Sequence, residues 1–324
     1  MILDFDKIKE ITFGTQEIIE RAGWFEFRRF LENQAQPYLD IDRSDHYLKT
    51  GATASVRLSF STDAEQISFT YNPEWGSSRM FCNLDVLEND TLTGHYVLRF
   101  CKDKLVHTFA KGVKKVEIYL PWSCKMQISD VELSGATFVK GEKRSRTSLA
   151  FGDSITQGYD TRHPYQSYIN LMSKAFDSDV VNVGIGGDVY SPHVIREMDA
   201  MPVDYITVAY GTNDWRTLPH ADFVKGCEEF YKELTSKYPT TKIFTILPIW
   251  RICPFERNED GKSLDDVREV IKQIASQYKN IVIINGKELM PHRAELFFDK
   301  VLHPNEQGFV EYAENLVQQM KKHL

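Results

Sequence analysis

Phe151-Gly-Asp-Ser-Ile-Thr-Gln-Gly158 decides the fold, because it joins a buried strand to the start of a helix and puts a serine at the joint. The preceding Ser148-Leu149-Ala150-Phe151 reads as the end of a hydrophobic strand. Beyond it Tyr165, Tyr168, Ile169, Met172 and Phe176 recur at helical spacing. Ser154 therefore stands at a strand's carboxyl end. In open α/β sheets that edge forms ligand sites, and a helix amino terminus there offers backbone N–H groups to an anion.

Outward from this joint, buried-looking strands occur at Thr147 to Phe151, Val180 to Val183, Tyr205 to Tyr210, Ile243 to Leu247 and Ile281 to Ile284, with helix-length amphipathic segments between them. Strict β/α alternation predicts a parallel five-stranded sheet covered by helices on both faces. Before residue 140 the texture differs. Short alternating runs dominate: Trp24 to Phe30, Ala54 to Phe60, Gln66 to Tyr71, Tyr96 to Phe100 and Val116 to Leu120. Turn signals at Ala22-Gly23, Asn72-Pro73, Glu88-Asn-Asp90 and Lys111-Gly112 separate them, which predicts an antiparallel β-sandwich or jelly roll. The polar run Gly141-Glu-Lys-Arg-Ser-Arg146 reads as the connector, dividing the chain into residues 1–142 and 143–324.

A parallel sheet carries its site on one edge, so the polar clusters after its strands are expected to converge. They are Gly152-Asp-Ser154, Asn182-Val-Gly-Ile-Gly-Gly-Asp188, Gly211-Thr-Asn-Asp214, and Asp299 with His303 in Phe297-Phe-Asp-Lys-Val-Leu-His-Pro-Asn-Glu-Gln-Gly308. Together these motifs, in this order, resemble the SGNH (GDSL) hydrolase superfamily over roughly residues 147 to 324. The resemblance implies a three-layer, flavodoxin-like α/β/α fold, esterase or acylhydrolase activity, and no cofactor. Position by position, it implies Ser154 as nucleophile, His303 as general base, and Gly187 and Asn213 as oxyanion donors beside the Ser154 amide.

The chemistry requires these residue types. A serine hydroxyl attacks only once a base takes its proton, and an imidazole accepts that proton and returns it to the leaving alcohol. Fixed donors stabilise the charge of the tetrahedral intermediate. One spacing departs from the family: Asp299 precedes His303 by four residues, not the usual three, with Lys300, Val301 and Leu302 between. Either a local bulge absorbs the extra residue and completes a triad, or the site is a Ser-His dyad.

Other readings are bounded similarly. Asp153 and Asp214, short acids beside sharp turns, are expected to bond local backbone. Gly184-Ile-Gly-Gly187 is not a dinucleotide fingerprint, because Val189 occupies the place of its final glycine. Trp215, Trp250 and Arg251 are candidates for shaping a substrate pocket, with core packing as the competing role. The other histidines lack metal-ligand spacing and read as surface or hydrogen-bonded residues, so no metal is expected. The first half is similar in arrangement to the jelly-roll domains preceding the hydrolase domain of some GDSL esterases, including carbohydrate deacetylases. Lys115-Val-Glu-Ile-Tyr-Leu-Pro-Trp122 carries that similarity. Such a domain either binds sugar through aromatics such as Trp75 or Trp122, or walls one side of the cleft.

A net charge of -7 over 324 residues, without a basic run, argues against nucleic acid as partner. No segment is apolar enough to span a membrane. The amino terminus lacks the features of a signal peptide, and five cysteines without a Cys-x-x-Cys pair indicate a reducing cytoplasm. The expectation is a cytoplasmic serine esterase acting on O-acetyl groups of a carbohydrate, with an oligomer compatible with the sequence. A lipid or thioester acylhydrolase and a non-catalytic carbohydrate-binding protein are the alternatives.

Overall fold

A computed structural model describes residues 1–40, 44–253 and 255–324. Its carboxyl-terminal half is a parallel sheet of β1 (Arg146–Gly152), β2 (Ser178–Asn182), β3 (Tyr205–Ala209), β4 (Lys242–Ile246) and β5 (Ile281–Ile284) in the order β2-β1-β3-β4-β5. The central strands are apolar on both faces because each face is covered. Phe151, Val208, Phe223, Phe230 and Ile271 fill one side, and Ala150, Tyr168, Phe244, Phe309 and Leu316 the other. On the second side Tyr168 stacks on Tyr312 with ring centroids 4.2 Å apart. This is the three-layer α/β/α arrangement expected from β/α alternation.

The order reverses at β1. The next strand, β2, lies on one side of it and the third, β3, on the other, so the crevice at the end of β1 is where this topology opens a site. The helix expected over Tyr165 to Phe176 begins only at Tyr168. Pro164 places a short 3-10 turn before it, and Ser167 caps the helix by accepting from the Asn170 N–H.

The amino-terminal half is a sandwich of two antiparallel sheets. One runs Glu17–Arg21, Trp24–Arg28, Cys124–Ser134, Gln66–Trp75, Asp103–Thr108; the other runs Thr12–Phe13, Arg57–Thr62, Lys114–Tyr119, Asn83–Glu88, Thr91–Val97. Inward residues such as Phe60, Phe69, Val86, Ile118 and Ile128 interdigitate between them. The run Tyr96 to Phe100, expected as a strand, contributes only its first two residues. The strand is Thr91–Val97, and Leu98 and Phe100 leave the ladder to pack against the core.

Two further differences set up the site. The stretch between the first sandwich strands carries short helices, among them Ser44–Thr50, which packs its Lys49 and His46 against the carboxyl-terminal half. Its pattern is too short to stand out as a helical period. The connector, polar in sequence, is not a solvated linker: Val139–Gly141 pairs with Arg57–Thr62, and Arg144 is buried. Arg144 bonds Glu117 at 2.9 Å and Tyr119 on one side and Ser173 on the other, so its charge is used as an interface contact.

Arg29 is the clearest such contact. Fully buried, it donates to the carbonyls of Ala52, Lys49, Asn182 and Gly184, joining the sandwich to the loop after β2. Burial pulls its guanidinium down to about 9, still charged at neutral pH. Arg29→Met is expected to destabilise the fold by about 3 to 5 kcal/mol, since buried carbonyls lose a charged donor. Urea denaturation with an unchanged slope checks this; a loss under ~1 kcal/mol means that water replaces the guanidinium.

Candidate active site

The turn after β1 is built for close approach. Gly152 has no room for a side chain: a Cβ there would lie 2.1 Å from the Thr156 hydroxyl and 2.8 Å from the Ala209 carbonyl. Asp153 then caps the single helical turn Ser154–Gln157, accepting from the Ile155 N–H at 3.0 Å. Burial raises the Asp153 carboxyl to about 6. Asp214 bonds local backbone after β3 at the Gly211 amide, 3.0 Å, and also reaches across to the Tyr190 amide of the loop after β2 at 2.9 Å, with burial raising it to about 7. Both acids thus serve backbone, as their turn positions predict.

Ser154 Oγ lies 2.9 Å from His303 Nε2, and His303 Nδ1 lies 2.8 Å from Asp299 Oδ2. The four-residue spacing is absorbed at Lys300, which adopts a left-handed backbone with φ 59°. The resulting turn lets Asp299 Oδ1 accept the amides of Val301, Leu302 and His303 while Oδ2 stays on the imidazole. Burial opposes the charge of Asp299, but His303 and these amides hold the carboxyl well below its ordinary range.

A second carboxylate, absent from the sequence reading, faces the same nitrogen. Asp160 Oδ2 is 3.2 Å from His303 Nδ1, and Arg79 from the sandwich grips Asp160 through two bonds of 2.6 and 3.0 Å. Asp160 holds a left-handed backbone, φ 70°, directly after Tyr159, whose ring lies 5.6 Å from that of His303. Desolvation would lower the imidazole, yet Asp160 and Asp299 overcome it and raise His303 to about 9. The one sequence signal for Asp160 is its place two residues after Gly158 in the opening motif; Arg79 gives none.

Gly187 sits in the loop after β2, and Asn213 in the first turn of the helix Thr212–Thr217 that follows β3. Gly187 has φ 90°, a conformation that favours glycine, and Asn213 Nδ2 donates to the Asp188 carbonyl at 3.0 Å, tying the two loops together. Ser154 and Asn213, in the first turns of the helices after β1 and β3, and Gly187, Asp299 and His303, on loops, thus follow the carboxyl ends of the sheet's strands. Trp215, Trp250 and Arg251 line one small cavity together with Leu264 and Arg268. Trp215 is buried, with its indole N–H on the Lys262 carbonyl, and the Arg251 guanidinium lies over its ring at 5.1 Å. Trp250 stacks on His292 at 4.9 Å. Packing is therefore the observed role of Trp215, because its polar edge is already satisfied.

Trp122 is likewise buried, bonded to the Thr161 carbonyl and packed on Tyr159 at 4.9 Å, so it is a packing residue between the halves and not an open sugar platform. Trp75 remains half exposed, against Phe100. Beside the His303 loop, half-buried Phe81 of the sandwich meets Phe298 edge to face at 5.9 Å.

Two groups of acids and imidazoles have ligand atoms close enough to share an ion: Asp85, His95 and His163, and Asp160, Asp299 and His303. In the first, which sequence spacing does not reveal, both imidazoles bond one buried Asp85 oxygen at 2.7 and 3.1 Å, which satisfies it across the interface between the halves. In the second, Arg79 already supplies the positive charge that Asp160 requires. Among the described residues no helix is long and apolar enough to cross a membrane.

Residues 150–309 match the family described as GDSL-like Lipase/Acylhydrolase. No curated protein matches the chain. Among solved structures, the fold is similar to that of the salicylyl-acyltransferase SsfX3 from a tetracycline biosynthetic pathway: TM-score 0.82, 22% identity, covering 96% of this chain and 94% of that one. A putative GDSL-like lipase from Bacteroides ovatus aligns with TM-score 0.77 at 17% identity, covering 97% and 96%. A family two carbohydrate esterase from Clostridium thermocellum, in complex with cellohexaose, aligns with TM-score 0.66 at 14% identity, covering 84% and 93%.

Proposed function

We propose that this chain, whose residues 150–309 match the GDSL-like lipase/acylhydrolase family, is a carboxylic ester hydrolase that removes O-acetyl groups from a carbohydrate through an acyl-enzyme on Ser154. The observation that carries the mechanism is the continuous Ser154–His303–Asp299 hydrogen-bond chain. In this reading His303 Nε2 takes the hydroxyl proton as Oγ bonds the ester carbonyl carbon. The same proton then goes to the leaving alkoxide as the acyl C–O bond breaks. Water, deprotonated by the same nitrogen, adds to the acyl carbon, and the acyl–Oγ bond then breaks as that proton passes to Oγ, which releases acetate and free Ser154. The amides of Ser154 and Gly187 and the Asn213 carboxamide hold the oxyanion in both steps.

The carbohydrate preference rests on Phe81 and Phe298, aromatic faces beside the His303 loop of the kind that pack against the apolar face of a sugar ring. Residues 1–142 act in this proposal as the wall of the cleft and residues 143–324 as the catalytic unit. The family two carbohydrate esterases that share the fold favour the same substrate class.

A series of 4-nitrophenyl esters and acetylated sugars tests the reading. Acetate is expected to turn over fastest, butyrate at least about ten-fold slower, and long-chain esters hardly at all, each extra methylene that a small acyl pocket cannot hold costing roughly 10-fold or more. A rate maximum at long acyl chains replaces the deacetylase with a lipid acylhydrolase. A folded wild-type chain that turns over none of these esters and resists fluorophosphonate leaves a carbohydrate binder.

A further inference from the structure

The sandwich reaches the proposed oxyanion donor through a single peptide unit. Lys49, on the helix Ser44–Thr50, is 7% exposed. Its ammonium donates to the Gly186 carbonyl at 2.7 Å and to Asp45 Oδ2 at 2.7 Å. The Gly186 C=O and the Gly187 N–H belong to one planar trans peptide group, so the two point in opposite directions. Anchoring the carbonyl toward Lys49 aims the N–H away from it.

The rest of that peptide's surroundings reinforce the aim. The Gly186 N–H is held by Gln157 Oε1 at 2.7 Å, and Arg29 holds the carbonyls of Asn182 and Gly184 just upstream. A Cβ at Gly187 would lie 3.4 Å from His46 Nε2, so the same helix packs directly against the glycine. Asp45 bonds both His46 Nδ1 and Lys49, which keeps the ammonium in place. Among the described residues the Gly187 N–H itself donates to no protein acceptor, which leaves it for a ligand.

We propose that Lys49 is a positioning residue for the oxyanion hole, an inference that rests on the ester-hydrolase reading above. Its charge-assisted bond draws electron density toward the Gly186 oxygen and, through the partial double bond, away from the Gly187 nitrogen. The N–H becomes a stronger donor as well as a fixed one. A neutral ester carbonyl gains little from this; the negative oxygen of the tetrahedral intermediate gains more. The effect belongs to the transition state and is read in kcat, not KM. The sandwich thereby sets the strength of a donor on the catalytic half without touching substrate.

The test compares Lys49→Met, Lys49→Gln and Lys49→Arg on 4-nitrophenyl acetate, with kcat and KM measured separately and melting temperature alongside. Removing a whole oxyanion donor costs about 100- to 1000-fold in kcat, so weakening one is expected to cost about 10- to 100-fold in Lys49→Met, with KM changed less than about three-fold. Lys49→Arg restores most of kcat, and Lys49→Gln, which can anchor the carbonyl without charge, falls between. Should Lys49→Met melt below the assay temperature, the Gln and Arg variants decide. An unchanged kcat, a loss confined to KM, or equal kcat losses in every variant overturns the proposal. Wild-type turnover that is indifferent to Lys49 overturns this inference alone, whereas a wild-type chain without turnover overturns the ester reading and this inference together.

Discussion

Ser154→Ala is expected to lower kcat/KM for 4-nitrophenyl acetate by about 10⁴-fold or more and to abolish labelling by a fluorophosphonate. The size follows from the site's economy of parts. The Ser154 hydroxyl is the group in hydrogen-bond contact with His303 Nε2, so its loss leaves the base without a proton to take and the acyl group without an acceptor. What survives is the slow attack of water held by the same base and donors. Stability is expected to change little: Ser154 begins a turn whose cap is Asp153, and that cap is untouched. A melting temperature within a few degrees of wild type separates lost chemistry from lost fold. Retained turnover, or fluorophosphonate still bound at another residue, would remove Ser154 from the nucleophile's role.

The residues the sequence made legible are those whose neighbours are local. Gly152, Asp153 and Ser154 follow a hydrophobic strand, Asn213 and Asp214 another, and strand-then-polar-turn is a pattern that one-dimensional reading captures. Asp299 was legible as a candidate but not as a contact. Whether a four-residue step reaches an imidazole depends on the backbone of Lys300, and a left-handed lysine has no sequence signature. Asp160, Arg79, Lys49 and Arg29 were not legible. Each acts across the interface of the two halves, over separations of 81 residues for Arg79 and Asp160 and 137 for Lys49 and Gly186. Isolated basic residues in a sandwich look alike until the fold supplies an acidic or carbonyl partner. The same holds for the polar connector, whose Arg144 reads as solvated and is buried. Sequence period reports which face is apolar; it does not report which charges are needed to dock one folded half on another.

The second carboxylate makes pH the most informative variable. His303 acts as a base only when neutral, and Asp160 and Asp299 together keep it protonated up to about 9 despite burial. Wild-type kcat/KM is therefore expected to rise with pH along a limb near 9, not near the ordinary 6.5. Asp160→Asn removes one of the two charges, so the limb is expected to move to lower pH while Asp299 still orients Nδ1 and most of the plateau survives. Asp299→Asn also moves the limb acidward but lowers the plateau, because the shorter contact to Nδ1 is lost: the carboxamide oxygen keeps the turn amides, and its NH2 then faces the imidazole N–H. With both replaced, no carboxylate holds the tautomer or stabilises the imidazolium, and a plateau loss of about 10³- to 10⁴-fold is expected. Stability runs the other way. A raised histidine contributes stability that is complete below its unfolded value of 6.5 and fades as pH climbs through about 9. Depressed Asp299 contributes stability above its unfolded value of 3.8, lost as pH falls through its lower folded value. The ion cluster thus stabilises the fold most between 3.8 and 6.5, where its histidine is least able to act as a base. Melting temperature and kcat/KM followed across pH in wild type and Asp160→Asn test this opposition. A wild-type limb near 6.5 that Asp160→Asn leaves in place would mean that Arg79 neutralises Asp160 fully and that Asp299 alone governs the base.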